Sequence, residues 1–182
     1  EVIASSNASL GTIFSFTGDV KKAIECHERA LKIALDNSFM ETALRTYNNL
    51  AISLPPGEEN ERRLECFDKG FELARKVGHI GYISWFGAML SWMYYNMGNM
   101  NKAVPLAEES VALSKKAGEM YNLELSLNVL GFTYQIMGEW DKSEQYYKEA
   151  LNISQKIDNF EAIGLSYWCL GWLHFDKEEY VK

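Results

Sequence analysis

Cysteine, proline and positive charge are all scarce in these 182 residues, and each scarcity excludes something. Only three prolines interrupt the chain, and 47% hydrophobic with 24% charged residues argues against disorder and for long regular elements. The three cysteines, Cys26, Cys66 and Cys169, are odd in number and lack Cys-x-x-Cys spacing. That excludes a disulfide framework and a zinc ribbon and predicts a reducing, cytoplasmic setting. Lys and Arg number 18 against 25 Asp and Glu, a formal net charge of −7. With no basic run to neutralise several phosphates, nucleic acid is not the expected partner.

Catalytic spacings are absent as well. The sequence holds no Gly-x-x-x-x-Gly-Lys-Ser/Thr, no His-Glu-x-x-His, no Gly-x-Ser-x-Gly and no dinucleotide glycine fingerprint. Its three histidines are scattered: His27 falls on a core-facing helical column, His79 at a helix junction and His174 late in the chain. Acidic pairs such as Glu58-Glu59 and Glu108-Glu109 sit where solvated helix starts and outer faces account for them. The expectation is no enzyme, no metal site and no cofactor. Residues 77–101 carry no Lys, Arg, Asp or Glu and are long enough to cross a bilayer. Gly78, His79, Ser84, Asn96 and Asn99 interrupt that run with groups that hydrocarbon would leave unsatisfied, so no membrane span is expected. The chain opens at Glu1 without a signal-like segment, and residues 178–182 reach its end without a helix stop, which reads as a piece of a larger protein.

What the sequence does have is a period. Leu10-Gly11, Leu50-Ala51, Leu90-Ser91, Leu130-Gly131 and Leu170-Gly171 repeat a leucine followed by a small residue every 40 positions. Phe14, Leu54, Tyr94, Tyr134 and His174 keep the register four places on, and Gly18, Gly98 and Gly138 mark a turn that Glu58 and Glu178 replace. Ala23, Ala103 and Ser143, then Ala30, Gly70, Ser110 and Ala150, set small residues beside large ones in a second helix, the pattern of close antiparallel packing.

These columns resemble the tetratricopeptide repeat, with Leu130-Gly131, Tyr134, Tyr147 and Ala150 the fullest match. The 40-residue period exceeds the family's usual 34 and is similar to the long variants in kinesin light chains, Gα-coupling adaptors and the sensor regions of MalT-type regulators. The resemblance implies an all-α fold, a right-handed α-solenoid of antiparallel hairpins, over residues 1–182 as one array. Its repeats are placed near 4–43, 44–83, 84–123, 124–163 and an incomplete 164–182. First helices are expected near 2–17, 39–54, 79–97, 119–137 and 159–177, and second helices near 19–36, 58–77, 99–117 and 139–157. Arg63 and Gly70, standing where the family usually carries alanine, predict a looser second hairpin.

The resemblance also implies that the first helix of each hairpin lines a concave groove. In the first two repeats the corresponding stripe is small and polar: Ser5, Ala8, Thr12 and Ser15, then Arg45, Asn48, Asn49 and Ile52. Afterwards it turns aromatic, with Trp85, Trp92 and Tyr95, then Asn128, Phe132 and Gln135, then Trp168, Trp172 and Phe175 at matching 3.6-residue spacing. Such rings either meet a partner or pack on one another. The candidate groove residues are therefore Arg45, Asn48, Trp85, Trp92, Tyr95, Asn128, Phe132, Gln135, Trp168, Trp172 and Phe175. Recognition of an acidic C-terminus is disfavoured because Arg45 is the one cation on the stripe. The expected function is a signalling or regulatory scaffold that binds an apolar or amphipathic peptide segment. The alternative is a small-molecule or sugar sensor of the MalT type, for which Trp85, Trp92, Trp168 and Trp172 would supply stacking faces. Self-association through the truncated fifth hairpin, at Tyr167, Leu170 and Tyr180, is also expected.

Overall fold

Glycine in a left-handed backbone makes three of the turns within hairpins: Gly18, Gly98 and Gly138 have φ of 83°, 72° and 74°, a conformation that is free of steric cost only without a Cβ. The computed structural model describes residues 1–180 and is all-α. Among those residues run α1 (Val2–Phe16), α2 (Val20–Asp36), α3 (Met40–Ser53), α4 (Asn60–Val77), α5 (Ile80–Asn96), α6 (Met100–Ala117), α7 (Met120–Ile136), α8 (Trp140–Lys156) and α9 (Phe160–Tyr180). Every boundary lies within three residues of its sequence expectation. The widest departure is the end of α9, where Glu178 occupies the turn-glycine column and the helix continues to Tyr180. At the other replaced glycine, Leu54 leaves α3 in an extended conformation ahead of Pro55, and Gly57 supplies the positive φ of 94° instead.

Between repeats, Ser38, Gly78, Gly118 and Asp158 share one column and one left-handed conformation, with φ of 60°, 72°, 71° and 52°. A side chain is strained there. Ser38→Gly and Asp158→Gly are each expected to stabilise the fold by about 0.5–1 kcal/mol, read as a rise in thermal midpoint.

The helices gather into two compact units, one of residues 1–82 and one beginning at Ile83. In the first, α1 packs on α2, α2 on α3 and α3 on α4. Ala4, Ala34 and Ala43 are fully buried there beneath Leu31, Ile33, Phe39 and Leu73. The second hairpin closes in its own way: Arg63 Nε donates to the Ala51 carbonyl at 3.1 Å. One bond in the second unit is its repeat equivalent, Ser143 Oγ to the Gly131 carbonyl at 2.9 Å. The long guanidinium thus does the work of a hydroxyl at that column.

In the second unit α7 packs against α6 and α8, and α9 against α8 and α7. Leu123, Leu127, Val129, Leu130 and Ile153 form one core cluster. Tyr147, Cys169 and Leu173 form another, with Phe132, Trp140 and Leu170 packed on it. Gly131 permits the second cluster, since a methyl at that position would stand 2.6 Å from Cδ1 of the Tyr147 ring. No helix among the described residues is long and apolar enough to cross a membrane.

Candidate functional site: an aromatic face in the second unit

The 40-residue period places equivalent residues of α5, α7 and α9 on corresponding helical faces, and in the second unit those faces carry rings. Trp92 stacks on Tyr95 at 5.2 Å and meets the Phe132 ring edge-on at 5.3 Å, while Tyr95 lies 6.0 Å from Phe132. Phe132 is 6.4 Å from Trp168, which stacks on Trp172 at 6.0 Å, and Trp172 is 5.8 Å from Phe175. Six rings from three helices therefore form one continuous surface. Trp85 stands apart on α5, stacked at 6.2 Å on Tyr121 of α7.

Exposure rises along this surface. Trp85, Trp92, Tyr95 and Phe132 are half-buried, whereas Trp168, Trp172 and Phe175 are 57%, 51% and 55% exposed. Ring–ring packing thus satisfies the α5 and α7 part, while the α9 part keeps about half of each ring in water. Tyr167 of α9 is likewise exposed, but Leu170 is packed against the Tyr147 cluster, so it does not offer the open surface the sequence suggested. The side chain of Tyr180 and residues 181–182 lie outside the described residues.

Asn128 and Gln135 sit beneath the rings and not among them, because α7 is packed against α6, α8 and α9 and its share of the column is covered. Asn128 is 2% exposed and its Nδ2 donates to the Glu124 carboxyl. Gln135 Nε2 donates to Asp176 Oδ2 at 2.7 Å, and its Oε1 accepts the Tyr147 hydroxyl at 2.8 Å. The chain Tyr147–Gln135–Asp176 ties α8, α7 and α9 together under the aromatic face. Glu124 itself is 5% exposed, and burial pushes its carboxyl up to about 7. Burial also pushes the Tyr95 hydroxyl and the Cys169 thiol up, the latter to about 12, so neither is ionised at neutral pH. Sequence reasoning passed over Glu124, although it is the one charged residue in the whole of α7; a lone charge in an apolar helix was the available signal.

In the first unit Arg45 is exposed and Asn48 half-buried, its Nδ2 3.3 Å from Asn49 Oδ1. Asn49 Nδ2 in turn donates to Thr12 Oγ1 at 3.2 Å, and the Ser15 and Ser53 hydroxyls are 2.7 Å apart, so α1 and α3 are joined by small polar contacts where the second unit uses rings. Among the described residues, no three His, Cys, Asp or Glu side chains are gathered as a metal site requires.

Family comparison matches the sequence to the tetratricopeptide repeat twice, at residues 90–156 and 8–41. Among solved structures, a Rap protein complexed with competence and sporulation factor has 13% identity and a TM-score of 0.78, covering 90% of this chain and 46% of its own. A signal-transduction ATPase with numerous domains from Pyrococcus horikoshii, which carries a tetratricopeptide repeat sensor, has 18% identity and a TM-score of 0.76 over 92% of this chain and 26% of its own. A putative kinesin light chain from Podosopora anserina with nearly identical repeats has 20% identity and a TM-score of 0.72 over 96% of this chain and 87% of its own. This chain therefore spans less than half of the first two. No curated protein matches the sequence.

Proposed function

Because this chain belongs to the tetratricopeptide repeat family, we propose that it is a protein-interaction scaffold whose aromatic face binds an apolar or amphipathic peptide segment. The observation that carries this reading is the trio Trp168, Trp172 and Phe175, half exposed yet continuous with rings already packed on α5 and α7. Large, rigid, amphipathic rings are the side chains that most often anchor an interface. Support also comes from the Rap relative, which was crystallised with competence and sporulation factor. A regulatory role and one array over residues 1–182 are part of the same proposal.

A second reading, a small-molecule or sugar sensor, is favoured by one geometry. The Trp168 and Trp172 rings lie within 22° of parallel and are about half exposed, a flat apolar face of the kind on which a sugar ring stacks. The sensor-bearing relative supports it.

Tryptophan emission, titrated with a panel of amphipathic helical peptides and separately with neutral sugars, tests both. Trp168→Ala with Trp172→Ala is expected to leave helical content intact at a stability cost of about 1 kcal/mol per ring, and to weaken peptide affinity about 30-fold or more. A sugar-specific response selects the sensor instead. Emission that ignores both panels, or peptide affinity unchanged in the double variant, removes the aromatic face from function.

A further inference from the structure

A cavity of about 590 Å³ opens in the first unit among α1, α2 and α3, lined by Thr12, Ser15, Val20, His27, Asn49 and Ser53, with the exposed Phe16 and Ile52 also at it. The repeat explains why it is hollow. Three periods later the same positions are Phe132, Gln135, Trp140, Tyr147, Cys169 and Leu173, and five of those six are members of the solid cluster around Tyr147. Five of the six exchanges from second unit to first (Phe to Thr, Gln to Ser, Trp to Val, Tyr to His, Leu to Ser) remove volume, while Gly11, like Gly131, still lets a ring lie on α1: a methyl there would stand 2.6 Å from the His27 ring. The volume is within the range of small-molecule sites.

Its polarity is equally specific. No Asp, Glu, Lys or Arg lines it. The Thr12, Asn49, Ser15 and Ser53 side chains are engaged with one another. The imidazole of His27, fully buried, is the exception: both Nδ1 and Nε2 lack a partner. A buried polar group without a hydrogen bond is costly and calls for an explanation. Burial holds this histidine below its ordinary pKa and hence neutral, so it presents one N–H and one lone pair.

We propose that this cavity binds a small neutral aromatic molecule bearing one hydroxyl group, a phenol, whose ring occupies the place the Phe132 ring fills in the second unit and whose hydroxyl bonds to His27. Tyr147 and Gln135 show the arrangement completed by the protein's own side chains, hydroxyl to acceptor at 2.8 Å. In the first unit a guest supplies the missing ring and hydroxyl.

The test is an NMR titration of the isotope-labelled chain with 4-methylphenol and, separately, toluene. Shifts are expected at the Thr12, Asn49 and Ser53 amides and at the His27 imidazole, with toluene binding about five- to tenfold more weakly because it leaves the imidazole unpaired. Thr12→Phe with His27→Tyr restores both rings of the second unit, filling the place of the guest ring, and is expected to abolish binding of both probes with an unchanged helical spectrum. His27→Phe, which keeps a ring on Gly11, covers the case where the double variant fails to fold and is expected to bind both probes equally. No shifts at those amides with millimolar 4-methylphenol, equal wild-type affinity for toluene, binding retained by the folded double variant, or a phenol preference surviving in His27→Phe each overturns the proposal.

Discussion

Tyr147→Ala is expected to cost about 4 kcal/mol of folding stability, the largest single loss available in the second unit. The side chain is fully buried, its ring meets Phe132 edge-on at 5.5 Å, and Cys169, Leu173, Trp140 and Leu170 pack around it. The cavity left by alanine is floored by the α7 backbone at Gly131, which has no side chain with which to fill it. Tyr147→Phe separates the hydroxyl from the ring: it leaves Gln135 Oε1 without its 2.8 Å donor and is expected to cost about 1–2 kcal/mol. Urea unfolding monitored by circular dichroism checks both values. A loss under about 2 kcal/mol for alanine would mean that α8 and α9 repack without the ring, and the account of this cluster as the support of the aromatic face would fail.

That cluster also shows how far the sequence could be read. The Leu-small columns and turn glycines place the helices of the described residues to within three positions, because a 40-residue period repeated five times averages out local ambiguity. The aromatic stripe was legible for the same reason: rings 3.6-residue phased on α5, α7 and α9 had to share a face. What could not be read was depth. Asn128 and Trp168 occupy the same column, yet the first is 2% exposed and the second 57%, since α7 is covered by neighbours that α9 lacks among the described residues. Column position fixes direction, whereas burial depends on what is packed above. His27 illustrates the converse. Its core-facing column was clear from the register, but the hollow beside it appears only when the volumes of six neighbouring columns are compared between units.

Depth decides the chemistry of Glu124 as well. Glu124→Gln is expected to stabilise the protein by roughly 2 kcal/mol at pH 8 while leaving stability at pH 4.5 nearly unchanged, a figure discounted from the full 1.36 kcal/mol per pKa unit for partial solvent screening. The carboxyl is raised from 4.5 to about 7, chiefly by burial. The folded state therefore holds its proton more tightly than the unfolded chain, so this stabilisation is complete below about pH 4.5 and is lost as pH rises through about 7. Protonation also completes a pair. Asn128 Nδ2 already donates to the carboxyl, and Asn128 Oδ1 has no other partner, so a neutral Glu124 can return a hydrogen bond from its O–H, as the amide of glutamine does at every pH. His27, held below its ordinary pKa by burial, contributes with the opposite sign, its stabilisation being lost as pH falls, whereas Glu144, held at about 2 chiefly by Lys148 and Lys177, does not titrate in that window when folded. The informative quantity is therefore wild type minus Glu124→Gln across pH 4.5–8, in which the His27 contribution cancels. A difference that grows toward pH 8 assigns the ionisable strain to the buried Glu124–Asn128 pair of α7; a flat difference means Glu124 stays charged when folded and reaches water.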